Sequence, residues 1–137
     1  MTDTFGLEIY ASNKLVYAGR AKKLVIPAVD GEQAFLAHHE NIVAAIIPGE
    51  MRFESEDGTR NILAVSNGFV EMINNRAKLF CLTVERPEEI DIRRAQEAKE
   101  RAEEQLRQKQ SIQEYHMNQT ALARAMTRLR VTRKQDI

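Results

Sequence analysis

One proline-centred stretch divides this chain into two regions with different hydrophobic periods: Glu85 to Ala95, Glu-Arg-Pro-Glu-Glu-Ile-Asp-Ile-Arg-Arg-Ala. Before it, apolar residues alternate with polar ones, and turn pairs recur every ~8–12 residues. After Pro87, apolar residues recur at intervals of three and four, and the chain contains no further Gly or Pro. The single change of period predicts a β domain over residues 1–86 and a helical domain over residues 87–137.

The first region predicts a flattened β-barrel or sandwich of about ten short strands. Phe5 to Tyr10 alternates as a half-buried strand does. Leu15 to Tyr17 and Leu24 to Ile26 are interpreted as two separate short strands. Turn pairs separate several of the later strands, namely Asp30-Gly31, Pro48-Gly49, Asp57-Gly58, Asn67-Gly68 and Asn74-Asn75.

The second region predicts an antiparallel hairpin of two helices. Pro87 suits the first position of a helix, and Glu88 and Glu89 suit the positive end of its dipole. Ser111 to Glu114 has the capping-box form and predicts the start of a second helix. The apolar stripes are Ala95, Ala98, Ala102 and Leu106 on the first helix, and Ile112, Tyr115, Leu122, Met126 and Leu129 on the second.

The stripe of the first helix consists mostly of alanine. Burying an Ala methyl stabilises by ~0.8 kcal/mol, against ~1.5–3 kcal/mol for a Leu side chain. We therefore expect a hairpin that is helical by composition but weakly held by packing, as a movable arm or a solvated spacer would be.

The charge is zero overall but uneven along the chain. Residues up to Glu85 include 8 basic and 11 acidic side chains, and those from Arg86 onward 12 and 9, so the two parts carry −3 and +3. The helical part therefore suits an acidic partner. Cys81, the only cysteine, predicts an inert core thiol. No apolar run is long enough to span a bilayer and no signal peptide is evident, which predicts an intracellular protein.

No catalytic or metal-binding arrangement is evident in the sequence. His38 and His39 are adjacent, so their side chains diverge and make poor joint metal ligands. Ser66 has no His–carboxylate pair with it and is interpreted as a turn residue. There is no glycine-rich phosphate loop. We predict no catalytic residue, no metal and no required cofactor.

A hairpin that turns near Gln110 would bring four charged residues of the two helices together. Asp91 and Arg94 share a face of the first helix, and Arg124 and Arg128 share a face of the second, with Glu85 arriving from the last strand. Arginine binds phosphate oxygens in bidentate fashion, so one interpretation is a nucleotide site. The other is an Asp91–Arg128 ion pair with solvated arginines, worth at most ~1 kcal/mol.

Five segments in order resemble the epsilon subunit of the bacterial and chloroplast F-type ATP synthase, called delta in mitochondria. They are Asp30-Gly31-Glu32 leading to His39, Ile47 to Arg52, Ala64 to Glu71, Glu89 to Ala95, and Ala121 to Val131. The resemblance implies a ten-stranded flattened barrel followed by a helical hairpin.

The resemblance further implies a non-catalytic rotor subunit whose β domain contacts the gamma subunit and the c-ring. Glu32 and His39 are the residues that it implies for that interface. The hairpin of the family can extend along gamma towards an acidic segment of the catalytic beta subunit and block ATP hydrolysis. The complex lies on the cytoplasmic face of the bacterial plasma membrane, or on the stromal face of the thylakoid.

Some bacterial members of the family bind ATP, with or without Mg, as a regulatory ligand. The residues of this chain at the matching positions are Glu85, Ile90, Asp91, Arg94, Ala95, Arg124 and Arg128. The Ile/Leu-Asp-x-x-Arg-Ala motif accounts for Ile90, Asp91, Arg94 and Ala95.

The chain departs from the family at two turns. Gln33 to His38 lacks the usual glycines, so the loop facing the c-ring is expected to differ in shape. Asn67 replaces a glycine, and because Asn tolerates positive φ, a turn is still expected there.

The residues leave three other functions to consider. One is an interaction adaptor of the same fold, unrelated to ATP synthase. The others are a hydrolase using His39 and Glu40, which lacks a nucleophile, and nucleic-acid binding through Arg124 to Lys134, which the neutral charge and few aromatic residues disfavour.

Overall fold

A computed structural model describes residues 3–12, 14–107 and 112–135, without the side chains of 112–116 and 135. It separates into two compact units, Met1–Glu85 and Arg86–Ile137, which we call the β unit and the helical unit.

The β unit is a sandwich whose described residues form nine strands, in agreement with the predicted fold class. The strands are β1 Phe5–Ala11, β2 Lys14–Ala28, β3 Gly31–Leu36, β4 Ile42–Ile46, β5 Gly49–Ser55, β6 Arg60–Val65, β7 Gly68–Ile73, β8 Arg76–Cys81 and β9 Val84–Glu85. Their hydrogen-bonded order is β4-β7-β8-β1-β2-β5-β6-β9, with β3 added to β2. All pairs are antiparallel except β1 with β8.

Strand β2 is one continuous strand of 15 residues, so the prediction of two short strands here was wrong. Ala21 pairs with Ser55 and Lys23 with Glu54, so Lys22 is an extra residue that forms a bulge against β5. A bulge bends a strand without ending it. The first half of β2 therefore pairs with β1 and the second half with β3 and β5.

The predicted turn at Ser66-Asn67-Gly68 is a bend in a two-stranded ribbon. The register that pairs Val65 with Val84 in β6 and β9 continues unchanged into the pairing of Gly68 with Cys81 in β7 and β8. Bonds between Ser66 and Thr83 and from Leu82 N to the Asn67 carbonyl bridge the gap. Neither Asn67 nor Gly68 has a positive φ, so the turn does not depend on the ability of Asn to adopt one.

A glycine is needed at position 68 because the backbones of β7 and β8 approach each other closely there. A Cβ at this position would collide with the carbonyl of Phe80 on the partner strand. Positive φ does occur at Gly31, in the predicted β2–β3 turn, and at Asn74 and Asn75, in the predicted β7–β8 turn.

Alternate residues of the strands fill one core between the layers. Phe5, Leu7 and Ile9 of β1 are fully buried and alternate with half-buried residues, as the sequence predicted. Cys81 is part of this core. Burial raises the pKa of its thiol to about 11, so the thiolate is rare at neutral pH.

The helical unit contains two α-helices, α1 Ile92–Arg107 and α2 Ile112–Gln135, which pack against each other as a hairpin. Pro87 to Glu89 form a separate single 3-10 turn rather than the start of α1. The helix begins five residues later because Ile90 is extended and Asp91 supplies an N-cap, so Glu88 and Glu89 do not lie in its first turn. Residues 108–111, including the predicted turn at Gln110 and the cap at Ser111, lie outside the described residues.

The alanine stripe of α1 is confirmed, and that of α2 needs one correction. Ala95 and Ala102 are buried, with Ala98 and Leu106 half-buried. On α2, Leu129 is buried and Leu122 half-buried, but Met126 is exposed, and Ala125 occupies the buried position beside it. The side chains of Ile112 and Tyr115 lie outside the described part.

Candidate functional site

The helical unit contains six of the seven residues predicted to bind ATP. Ile90 is buried just before α1, and Ala95 is buried in its first turn and a half. Asp91 is the N-cap residue: its Oδ1 accepts a hydrogen bond from the Arg94 backbone N–H at 3.1 Å, and its carbonyl accepts from the Ala95 N–H at 2.9 Å. The structure thus joins Asp91 and Arg94 through the backbone at the start of α1.

The start of α1 carries charges of both signs. Its first turn carries the exposed Arg93 and Arg94, and its N-cap residue is the acidic Asp91. Arg93 pairs with Glu97 of the same helix at 3.4 Å. Arg94 is therefore the candidate here for a charge-assisted contact with a phosphate oxygen.

The remaining candidates lie on two other elements. Arg124 is exposed and Arg128 half-buried, one helical turn apart on α2. Glu85 ends β9 opposite Ala64 and belongs to the β unit.

Glu32 lies near the start of β3, and His39 lies three residues after its end. Glu32 pairs with Pro27 near the start of the strand, and its carboxylate contacts Arg52 Nη2 at 2.6 Å. His39 follows the end of the strand, where its Nδ1 lies 2.8 Å from the Glu40 carbonyl and its ring packs on Phe35. At about 3.3 Å per strand residue, the two side chains would contact different parts of a partner.

The loop before His39 turns without glycine. His38 adopts φ 65° and its backbone N–H donates to Asn75 Oδ1 at 2.7 Å. The imidazole lies 3.4 Å from Asp3, and Asn41 accepts from the Asn74 N–H at 2.9 Å. Hydrogen bonds to the β7–β8 turn therefore hold a left-handed conformation that glycine would adopt freely.

Sequence reasoning missed an aromatic row on the outer face of the β unit. Tyr10, Phe80 and Phe69 are cross-strand neighbours on β1, β8 and β7, with ring centroids 5.2 and 5.1 Å apart. Phe69 is 45% exposed, and the nearby Leu82 is 60% exposed. Contiguous exposed apolar surface marks a contact site for another molecule. These residues alternate with core positions in the sequence, but only the strand order makes them neighbours.

No group of three or more metal-binding side chains occurs among the described residues. No helix in that part of the chain is long and apolar enough to cross a membrane.

These features define a two-part class of protein, a β-sandwich with an aromatic row on its outer face followed by a hairpin of two helices. Family models match both parts. The "ATP synthase, Delta/Epsilon chain, beta-sandwich domain" matches residues 4–87, and the "ATP synthase, Delta/Epsilon chain, long alpha-helix domain" matches residues 88–133.

Curated relatives agree over nearly the whole chain. The ATP synthase epsilon chain of Ruminiclostridium cellulolyticum is 39% identical over 96% of this chain and 98% of its own. That of Syntrophomonas wolfei is 34% identical over 96% of both chains. The chain belongs to the delta/epsilon family of ATP synthase, whose members are non-catalytic subunits.

Two solved structures share the fold. A chain of the Euglena gracilis mitochondrial ATP synthase, in a structure of OSCP, F1 and c-ring, aligns with TM-score 0.82 at 21% identity, over 90% of this chain and 78% of that one. A chain from the central stalk and c-ring of the Tetrahymena thermophila enzyme aligns with TM-score 0.67 at 8% identity, over 96% of this chain and 98% of that one.

Proposed function

We propose that this chain is a central-stalk subunit of an F-type ATP synthase that couples the catalytic head to the c-ring during proton-driven ATP synthesis. The observation that carries the proposal is the match of two consecutive family models to the two units. The names of the relatives, and the complexes from which the solved structures come, support it.

The β unit is the part proposed to contact the gamma subunit and the c-ring. The aromatic row offers apolar area for a stable interface, and Glu32 and His39 offer polar contacts at two further points. In this arrangement the protein is peripheral to the cytoplasmic face of the plasma membrane, or to the stromal face of a thylakoid.

The helical unit is the part proposed to inhibit ATP hydrolysis, by extending towards an acidic segment of the catalytic beta subunit. Its sequence carries a net charge of +3, which suits that target. Among the described side chains, the contact between its helices buries mostly alanine and threonine, so separating the helices there costs less than separating leucine side chains would.

ATP is proposed as a regulatory ligand, with or without Mg, that favours the closed hairpin. The candidate residues are Glu85, Ile90, Asp91, Arg94, Ala95, Arg124 and Arg128. The exposed guanidiniums of Arg94 and Arg124 support phosphate contacts. A Kd of ~1 mM corresponds to ~4 kcal/mol. ATP at its Kd would stabilise the binding-competent form by ~0.4 kcal/mol, and at ten times its Kd by ~1.4 kcal/mol, enough to bias a weakly held hairpin.

Calorimetric titration of the full chain with ATP tests the ligand proposal. We expect Arg128→Ala to weaken binding about tenfold or more, because an arginine–phosphate contact is charge-assisted. Arg130→Ala is the matched control, since Arg130 is exposed and lies on another face of α2. Equal affinities of wild type and Arg128→Ala would reject Arg128 as an ATP contact.

Readdition of the chain to membranes stripped of this subunit tests the rotor role. We expect it to rebind and to restore proton-driven ATP synthesis. Failure to rebind would contradict the role.

A further inference from the structure

Two exposed arginines of the β unit flank a glycine on the outer face of the sheet. Gly6 of β1 pairs with Arg20 of β2 on one side and with Arg76 of β8 on the other. Paired residues of neighbouring strands project to the same face, so both arginines stand beside a position that has no side chain. At about 4.8 Å between neighbouring strands, their Cα atoms lie about 10 Å apart.

A cleft of about 210 Å³ lies at this position. Gly6 and Ala18 line it with little or no side chain, and both arginines line it with long ones. The Cγ of Arg76 lies 3.4 Å from the point that a Cβ on Gly6 would occupy, so the stem of this arginine leans over the glycine. Sites for drug-sized ligands measure ~300–1,000 Å³, so the cleft suits a group as small as a phosphate.

The guanidinium of Arg20 is held in one geometry. Its Nε donates to the Thr4 hydroxyl at 2.8 Å, and its Nη2 donates to the Thr4 carbonyl at 2.9 Å. The same carbonyl accepts from Asn75 Nδ2 at 3.0 Å, which ties it to the β7–β8 turn. Nη1 takes no part in these bonds and can donate to another acceptor. A group fixed in this way loses less conformational entropy when it binds an anion.

The acidic residue that lines the cleft, Glu8, is directed to other partners. Its carboxylate accepts a hydrogen bond from the Tyr10 hydroxyl at 2.6 Å. Glu8 and Glu71 are also the cross-strand neighbours of Lys78, which lines the cleft beside the arginines. The positive charge of this lysine therefore has an acidic side chain on either side.

The two arginines have no such compensation. Neither Arg20 nor Arg76 forms an ion pair with an acidic side chain in the part of the chain that the structure describes. Like charges on one cleft repel each other, and an anion between them removes this cost. A phosphate group suits the position, because oxygens on all of its sides accept from two guanidiniums at once. A carboxylate presents two oxygens to one side and is matched by a single guanidinium.

We propose that the cleft over Gly6 binds a phosphate group between the guanidiniums of Arg20 and Arg76. The site lies within the β unit and contains none of the residues proposed above to bind ATP. Its ligand is a small phosphate compound or the head group of an anionic phospholipid, which present the same oxygens. The inference does not depend on the rotor role.

NMR titration of the full chain with inorganic phosphate, at constant ionic strength, tests the site. We expect the guanidinium N–H signals of Arg20 and Arg76 to shift together, with a Kd of ~1 mM. Acetate at the same ionic strength is expected to bind at least about tenfold more weakly. Signals that do not respond to phosphate, or an equal affinity for acetate, would overturn the inference.

Substitutions separate a specific site from general attraction by positive charge. We expect Arg20→Gln and Arg76→Gln each to weaken phosphate binding about tenfold, because each removes a charge-assisted contact. Arg60→Gln is the matched control, since Arg60 is exposed at the start of β6 and does not line the cleft. We expect it to change binding less than twofold, and equal losses from all three substitutions would contradict the site.

A variant that keeps both arginines covers the case in which their substitution unfolds the chain. The Cβ of Gly6→Ala makes only ordinary contact with the Arg76 stem, but it fills part of the cleft. We expect it to weaken phosphate binding about fivefold. An unchanged affinity would place the anion elsewhere and reject the site.

Vesicles of phosphatidylcholine with and without phosphatidic acid distinguish the two sources of the phosphate group. Binding that requires phosphatidic acid and that Arg76→Gln weakens would identify a lipid head group. Binding of inorganic phosphate without binding to these vesicles would identify a small phosphate compound. Either result supports the site.

Discussion

At the scale of single residues, Asp91 has a role that needs no ligand. It caps α1 by accepting from the Arg94 N–H, and loss of an N-cap costs about 1 kcal/mol. We expect Asp91→Ala to increase hydrogen exchange of the Arg94 amide about fivefold, whereas Asp91→Asn, which caps equally well, leaves it nearly unchanged. Exchange at Arg94 that is equal in wild type and Asp91→Ala would contradict the capping role.

Cys81 gives a prediction on pH. Its pKa in the folded chain is about 11, above the ordinary value of 9.0, so the folded state keeps the thiol proton that the unfolded chain releases. The associated stability is fully present below pH 9 and is lost as the pH rises from there to about 11. Two pKa units correspond to roughly 2.7 kcal/mol.

The measurement is the free energy of unfolding of wild type and Cys81→Ala across this pH range. As the pH rises from 9 to about 11, we expect the free energy of unfolding of the wild type to fall further than that of Cys81→Ala. The extra fall should approach roughly 2.7 kcal/mol. Parallel pH profiles of the two proteins would show that burial does not raise this pKa.

At the scale of elements, the bent ribbon formed by β6–β7 and β8–β9 has no room for a side chain at position 68. A methyl group there meets the backbone of β8, which cannot move without breaking pairs of the ribbon. We expect Gly68→Ala to destabilise the protein by more than about 2 kcal/mol in denaturant unfolding. Gly6→Ala on β1 is the control, because its added Cβ makes only ordinary contact with the flexible Arg76 side chain. A similar small effect of both substitutions would contradict the close approach.

The sequence predicted the elements better than their connections. The alternation of apolar and polar residues identified β1 correctly, because a strand buries every second side chain in the core. It misjudged β2 and the Ser66 bend, since a bulge and a continued register depend on partner strands far away in sequence. The start of α1 was misplaced for a different reason: Pro87 and Asp91 both suit the start of a helix, and local pattern alone does not rank them.

The candidate site was predictable only in part. Spacing predicted that Asp91 and Arg94 share a face of α1, but Asp91 precedes the helix as its N-cap residue and contacts the Arg94 backbone N–H. The Glu32–Arg52 contact was not predictable, because the residues are 20 positions apart and meet across an intervening strand. The aromatic row was not predictable from the alternation alone, because its rings come from β1, β8 and β7, which only the strand order makes neighbours.

At the scale of the whole molecule, the described side chains that are buried differ in size between the two units. The β unit buries large side chains such as Phe5, Phe35 and Met51, whereas the described part of the two helices buries mainly alanine and threonine, with Leu129 and Val131. Local stability follows buried apolar area, so the helical unit is the part suited to change conformation. The proposed assignment of docking to the β unit and regulation to the helical unit depends on this difference.

The most direct test of this division of roles is the rate of ATP hydrolysis by the ATP synthase stripped of this subunit, before and after readdition of the full chain. The account predicts that the rate falls at low ATP when the chain rebinds, and that millimolar ATP relieves part of the inhibition. A rate that stays unchanged at low ATP, although the chain has rebound, would contradict it.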